Sequence, residues 1–229
     1  MNQHVSPRRS FMSYLGASLA AVGVGAVSAD AQTPKPGKAF GPTRHAADDW
    51  LERVPGKHRM VIDAVTPHGA GEAILFANNL YVANKDAYAL GDADLAIVIV
   101  MRHFATPFAF NDVVWAKYGK MMGDMVSFKD PKTKESPATN VFNSAAYGMT
   151  LPNLGSTLDS LIKRGTQFAV CDAATHFFAA QLAGMGGGTA GDVYKDLTSN
   201  TVANSRMVSA GVVGVTRAQE RGYALVYAG

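Results

Sequence analysis

The sequence DLAIVIVMRH, residues 94 to 103, decides the fold class of this chain. Its centre, Leu95 to Met101, is an unbroken apolar run that is rich in β-branched residues. A strand with one solvated face alternates apolar and polar residues, whereas a continuous apolar run is typical of a strand covered on both faces of its sheet. The run therefore predicts a buried strand of an α/β domain.

Strand and helix patterns alternate around this run. Four further segments predict strands, namely HRMVIDAV at 58–65, QFAVC at 167–171, RMVSA at 206–210 and YALVYA at 223–228. Helical patterns lie between them, including one from about Glu72 to Asn84, one that begins after Asn111 and one that ends at Gly165. This alternation predicts a three-layer α/β/α sandwich with a mainly parallel sheet of about five strands, whose chemistry lies at the carboxyl ends of the strands.

The composition excludes some classes of protein. The chain has 229 residues, of which 48% are hydrophobic and 17% are charged, which suits one globular domain. The formal net charge is only +3, and no run of Lys and Arg is interleaved with aromatic residues, so we expect no nucleic-acid partner. The segment TPHGAGE, residues 66–72, matches neither the dinucleotide-binding pattern nor the P-loop. We interpret it as a tight turn, and we predict no cofactor.

The first 31 residues have the pattern of an export signal. Arg8 and Arg9 precede an uncharged segment rich in Ala, Gly and Val, from Ser13 to Val27, and the small residues of SADAQ follow. This arrangement is typical of a signal peptide, and the paired arginines favour the twin-arginine route. We predict cleavage after Ala31, or else after Ala29, and a periplasmic protein; the alternatives are a Sec signal and an uncleaved anchor. The apolar segment is short for a bilayer span, so no stable membrane insertion is expected after cleavage.

Two further boundaries follow from composition. Residues 32–57 are rich in Pro and Gly, which predicts a leader or linker, with a short helix from His45 to Arg53. The strand and helix patterns begin at residue 58 and continue to residue 229. We therefore predict one α/β domain over 58–229.

Two segments of this domain resemble the DsrE/DsrF-like family of sulfur-relay proteins. In LIKRGTQFAVCDAA, residues 161–174, a strand after a Lys-x-Gly turn ends in a cysteine. In SRMVSAGVVGVTRAQERGYALVYAG, residues 205–229, the family's second motif is matched by Gly211, Gln219, Glu220, Gly222 and Tyr223. The resemblance extends over 58–229 and implies an α/β domain that forms homo-oligomers or hetero-oligomers. It also implies a cysteine, here Cys171, that carries persulfide sulfur from a donor to an acceptor protein.

Cys171 is the only cysteine of the chain, and it lies where a predicted strand gives way to a predicted helix. The partial positive charge at a helix N-terminus stabilises a thiolate, which is the reactive form of cysteine. We therefore predict that Cys171 is the working group of a sulfurtransferase-like carrier. The alternative is a small apolar filler, because a lone cysteine in a core strand is often buried and inert.

Four other residues are candidates for a site around Cys171. Arg102 and His103 follow the strongest predicted strand, so they can bind an anionic group or cover the thiol. Asp172 and His176 are the nearest titratable residues in sequence. His176 is a candidate base or ion-pair partner for the thiolate, although we favour a structural histidine packed among its apolar neighbours.

An alternative function rests on the loop after the strongest strand. Phe104, Phe108 and Phe110 predict an apolar lid, a ligand wall or a subunit contact, which would suit a non-catalytic scaffold or binding domain with a buried cysteine.

A soft-metal site for copper or zinc would need ligands far apart in sequence, drawn from Cys171, His103, His176, Met101, Met121 and Met122. No closely spaced ligand motif supports that site, and we predict no metal.

Overall fold

Five parallel strands form one sheet in the computed structural model, which describes Gly41 and residues 44–229. The strands are β1 (His58–Ala64), β2 (Leu95–Met101), β3 (Gln167–Cys171), β4 (Ser205–Val208) and β5 (Ala224–Ala228). Their order is β4-β3-β2-β1-β5, so β2 is the middle strand, and all seven of its residues are buried. The predicted export signal, residues 1–31, lies outside the described residues.

Seven α-helices in the described part of the chain flank the sheet. They are α1 (Trp50–Arg53), α2 (Pro67–Tyr88), α3 (Asp112–Met125), α4 (Leu158–Arg164), α5 (Asp172–Leu182), α6 (Ala190–Ser199) and α7 (Gly211–Gln219). Two predicted helix boundaries are confirmed. The Asn111 side chain accepts a hydrogen bond from the Val113 amide at 3.0 Å at the start of α3, and Gly165, at φ 100°, ends α4. Glycine adopts this left-handed conformation without steric cost.

Each face of the sheet has its own hydrophobic core. Alternate residues of β2 show the division, because Ile97 and Ile99 belong to the core shared with α2 to α6, whereas Val98 belongs to the core shared with α1 and α7. The connections cross the sheet in one direction from β1 to β4, and the last connection crosses back past β1 to β5. Because such crossovers are right-handed, α7 lies on the face of the sheet opposite to α2 to α6. The predicted three-layer α/β/α sandwich is confirmed.

Helix α2 begins earlier than the sequence pattern indicates, and the tight turn predicted at 66–72 is wrong. The Thr66 hydroxyl accepts a hydrogen bond from the Gly69 amide at 2.9 Å, and Pro67 occupies the first helical position, where proline is favourable. Gly69 is needed for packing, because a Cβ atom there would lie 2.4 Å from the Ala228 carbonyl oxygen. The glycine that suggests a turn therefore permits α2 to approach β5.

The described part of the predicted leader packs against the sheet. A short 3-10 helix, Ala46–Asp48, precedes α1, and the side chains of Trp50 and Leu51 are buried. The Arg59 guanidinium donates to the Leu51 carbonyl at 2.7 Å and so ties α1 to β1. The hydrophobic core on the α7 face thus includes residues that precede position 58.

The loop after β2 is a helical turn, His103–Ala109, that enters the core. Phe108 and Phe110 are fully buried, and the Asn140 side chain donates to their carbonyl oxygens at 2.8 and 2.9 Å. The prediction of an exposed lid or subunit contact is therefore wrong for these two residues, because the turn directs them inward. None of the described helices has the length and apolar content that crossing a bilayer requires.

Candidate functional site

A pocket of about 400 Å³ opens at the carboxyl ends of β2, β3 and β4. Arg102 follows β2, Cys171 ends β3, and Gly211 begins the helix that follows β4. Parallel strands place their carboxyl ends at one edge of the sheet, so residues that are distant in sequence meet there. The pocket lies at the edge where the sequence predicts the chemistry.

Cys171 lies at the junction of β3 and α5. Its Sγ accepts a hydrogen bond from the Ala174 amide at 3.4 Å, so the sulfur occupies the N-cap position of α5. The Thr175 hydroxyl donates to the Cys171 carbonyl at 2.9 Å and fixes the backbone at the same junction. The residue is only 6% exposed, and it lines the pocket. The structure thus places the thiol at the end of a strand and at the N-terminus of a helix, as the sequence predicts.

Arg102 is held by a carboxylate that the sequence analysis did not single out. Its Nε donates to Asp63 Oδ1 at 2.7 Å and its Nη2 donates to Oδ2 at 2.9 Å, which is the bidentate geometry of a strong ion pair. These hydrogen bonds raise the pKa of Arg102, with smaller electrostatic contributions from Asp63, Tyr227 and Cys171. Nη1 makes no hydrogen bond to any of the described residues, so it remains available as a donor.

Gly211 provides the space that Arg102 occupies. A Cβ atom at position 211 would lie 2.3 Å from Arg102 Cβ and 2.9 Å from its Cδ, which is closer than real contacts allow. Only glycine lets the first turn of α7 pack against the arginine side chain without displacing it. Asp63 therefore holds the guanidinium, and Gly211 leaves room for the aliphatic part of the same side chain.

His103 forms part of the pocket wall. Its backbone has φ 53°, a left-handed conformation that is uncommon for residues other than glycine. The exposed imidazole stacks on Phe104, with ring centroids 4.2 Å apart and an angle of 18° between the rings. The structure thus brings His103 and Phe104 to the same pocket as Arg102 and Cys171.

Asp172 and His176 lie outside the pocket lining and form a separate cluster with Tyr194 of α6. The Tyr194 hydroxyl donates to Asp172 Oδ1 at 2.6 Å, and this hydrogen bond raises the pKa of Tyr194. His176 Nε2 lies 3.6 Å from Asp172 Oδ2, and its ring stacks on Tyr194 at 4.0 Å. His176 is exposed, so the interpretation as a histidine packed among apolar neighbours is wrong.

The residues considered for a soft metal are distributed over several environments. Cys171 and His103 both line the pocket, but His176 belongs to the outer cluster, and Met101 and Met122 are fully buried in the core. The described part of the chain contains no group of three or more His, Cys, Asp or Glu side chains arranged to hold a metal ion.

Comparisons with known proteins gave no match: none of the family models, curated proteins or solved structures that were searched matches this chain. The resemblance to the DsrE/DsrF-like family therefore rests on the two segments quoted above. The fold and the pocket define an α/β protein with a single thiol at the carboxyl edge of a parallel sheet, next to an arginine whose charge is paired.

Proposed function

We propose that this protein carries sulfane sulfur as a persulfide on Cys171. The observation that carries the proposal is the position of the sulfur, which caps α5 and opens into the pocket that Arg102 also lines. Helix N-termini and guanidinium groups both stabilise anions, so the surroundings of the sulfur suit the anionic persulfide that the transfer produces. The resemblance of residues 161–174 to a sulfur-relay motif supports the same reaction.

The reaction needs no external oxidant or reductant. The Cys171 thiolate attacks the outer sulfur of a donor persulfide, a new sulfur–sulfur bond forms, and the bond within the donor breaks so that the donor leaves as a thiolate. An acceptor thiolate then attacks the outer sulfur on Cys171, takes it as a persulfide and restores the Cys171 thiolate. One sulfur atom moves in each step, and the total oxidation state is unchanged. The protein thus acts as a sulfurtransferase-like carrier.

The single cysteine makes the test direct. After treatment with inorganic polysulfide, the intact mass of the wild-type protein should increase by one sulfur atom, and dithiothreitol should remove the increase. Cys171→Ser should show no gain. Uptake by Cys171→Ser equal to that of the wild type would overturn the proposal.

A displaced thiol is the matched control. Met149 is highly exposed and lies outside the pocket, so Cys171→Ser with Met149→Cys presents a thiol without the helix cap or the arginine. If the surroundings of Cys171 stabilise the persulfide, it should decay faster on this variant than on the wild type. Equal lifetimes would show that any exposed thiol serves as well.

A second candidate function is a binding or scaffold domain in which Cys171 is structural. It is favoured by the 6% exposure of Cys171 and by the exposed apolar residues Leu225 and Tyr227 on the edge strand β5. In that case N-ethylmaleimide should react with the thiol only after unfolding, and the protein should self-associate through the β5 face. Prompt reaction of the thiol in the native protein would exclude a cysteine that is inaccessible to reagents.

We also propose that the protein is exported, works as an oligomer and passes its sulfur to an acceptor protein. The paired Arg8 and Arg9 support twin-arginine export, and the family resemblance supports assembly. Replacing both arginines by lysine should retain the precursor in the cytoplasm, and the exported wild type should begin at Gln32 or Asp30. Export of the lysine variant at the wild-type level would exclude this route.

A further inference from the structure

We infer that the pocket beside Cys171 selects a low-molecular-weight organic persulfide with an apolar body and no charge other than that of its sulfur. The reaction at the sulfur rests on the proposed function, whereas the ligand class rests on the size, walls and charge of the pocket. These three properties limit the ligand independently.

Access to the thiol restricts the size of the ligand. Cys171 is 6% exposed, and the space beside it is about 400 Å³, which is within the range of small-molecule pockets. A cysteine on a folded protein brings its surrounding backbone with it, so a space of this size favours a small donor. A small persulfide can enter and present its outer sulfur to the thiolate.

The pocket walls favour an apolar body. Phe104, Phe177, Phe178, Ala174, Ala210 and Val212 contribute most of the lining. Phe177, in the middle of α5, is 49% exposed, and Val212, at the start of α7, is 55% exposed, although both are large apolar side chains that line the pocket. A ligand that covers them removes apolar surface from water, which is the main source of affinity in sites of this kind.

The charge of the pocket limits the ligand to one anionic group. Arg102 is the only permanently charged side chain among the lining residues, and the buried Asp63 carboxylate already balances it. Its free Nη1 can donate one hydrogen bond to an anionic sulfur. A peptide thiol such as glutathione brings two carboxylates and an ammonium group, and the walls beyond Arg102 offer these groups no charged partner, which is unfavourable.

The ligand class is tested by binding that involves no sulfur transfer. Benzyl methyl sulfide and S-methylglutathione are unreactive analogues of an apolar donor and a peptide donor. Saturating benzyl methyl sulfide should slow alkylation of Cys171 by iodoacetamide about tenfold, whereas S-methylglutathione should slow it less than about twofold. Equal protection by both probes, or protection by neither, would overturn the inference.

Matched variants locate the effect. Phe177→Glu should abolish protection by benzyl methyl sulfide, and Tyr88→Glu, at an exposed aromatic residue outside the pocket, should retain it. If Phe177→Glu does not fold, Val212→Asp provides the same test, with Val213→Asp as its control, because only Val212 lines the pocket. Retained protection in both Phe177→Glu and Val212→Asp would place the ligand elsewhere.

Sulfur transfer separates the inference from the proposed function. Benzyl persulfide should load Cys171 about tenfold faster than glutathione persulfide, in proportion to binding. Protection by benzyl methyl sulfide without loading by either persulfide would overturn the carrier function and leave the ligand class standing. Equal loading by both persulfides without protection would support the carrier and overturn the ligand class.

Discussion

Helix α5 has two sides that hold reactive groups in contrasting surroundings. On the pocket side, Cys171 is nearly buried at the helix cap, beside Arg102, which comes from another strand end. On the outer side, Asp172 and His176 form an exposed cluster with Tyr194. Asp172 and His176 are the titratable residues nearest to Cys171 in sequence, but neither of them lines its pocket. Sheet register, rather than distance along the chain, decides which groups share the site.

The largest expected effect comes from breaking the buried ion pair on the pocket side. Asp63→Ala leaves the Arg102 guanidinium without its partner, so it should lower the free energy of unfolding by about 2–4 kcal/mol. The measurement is urea unfolding at pH 7. The Asp63 side chain is only 9% exposed, so water screens its attraction for Arg102 weakly, which is why the loss should be large.

A second bidentate pair provides the matched control for this prediction. Arg164 donates to Asp92 at 2.9 and 2.8 Å, but the Asp92 side chain is 41% exposed, against 9% for Asp63. The two arginine side chains are equally exposed, at 23%, so the carboxylates make the difference. Asp92→Ala should cost less than about 1 kcal/mol, because water already screens the exposed Asp92 carboxylate in the wild type. Equal losses in the two variants would show that burial does not distinguish the pairs.

The next effect concerns the space beside Arg102. Gly211→Ala places a Cβ atom 2.3 Å from Arg102 Cβ, so it should destabilise the protein by about 1–3 kcal/mol and change the alkylation rate of Cys171. Gly191→Ala on α6 is the control, because its Cβ would have no neighbour closer than 4.0 Å. That variant should be neutral or slightly stabilising. Thermal unfolding of both variants checks the prediction, and an unperturbed Gly211→Ala protein would contradict it.

A smaller effect compares the two sides of α5 through thiol reactivity. Asp63→Asn with Arg102→Gln removes both charges of the pair together, and it should slow alkylation of Cys171 at pH 7 about fivefold, because the guanidinium that lines the same pocket no longer stabilises the anionic transition state of the reaction. His176→Ala should leave the rate within about twofold, because His176 does not line the pocket. If His176→Ala slowed alkylation more than the double variant, the outer side of α5 rather than the pocket side would control the reactivity of Cys171, which would contradict the prediction.

The smallest effect is confined to the outer cluster. The hydrogen bond to Asp172 raises the pKa of Tyr194, so Asp172→Asn should return it toward the ordinary value of 10.0. Because the folded-state pKa is the higher one, the stabilisation is complete below the unfolded pKa and is lost as the pH rises through the folded pKa. Tyrosinate absorbance during alkaline titration measures the shift, and Tyr194→Phe identifies the signal. An identical titration of wild type and Asp172→Asn would contradict the prediction.

The sequence predicted the central strand and the position of the thiol but not the partners of the arginine. The strand predicted within residues 94–103 is β2, Leu95–Met101, because burial on both faces leaves a continuous apolar run. Asp63 was missed, although a single carboxylate in the otherwise apolar part of β1 was a visible signal. Its importance depends on its position beside Val100 of β2, at the strand end that Arg102 follows. No local pattern contains that register.

Two glycines also show that local sequence does not reveal tertiary contacts. Gly69 suggested a turn, but it lies within α2 and permits contact with Ala228, while Gly211 permits contact with Arg102. In both cases a larger residue would collide with an atom of a segment that is distant in sequence. The local sequence indicates that a glycine is present and does not indicate which contact requires it.

The sequence by itself determined the α/β class and placed Cys171 between a strand and a helix, because these features depend on local apolar periodicity and on helix-terminus chemistry. Only the tertiary structure decided which groups meet the thiol. Strand order and register bring Arg102 to the pocket that Cys171 lines and leave His176 on the outer side of the same helix. The physical reason is that neighbouring strand ends in a parallel sheet converge on one edge, whereas residues along one helix point in different directions around its axis.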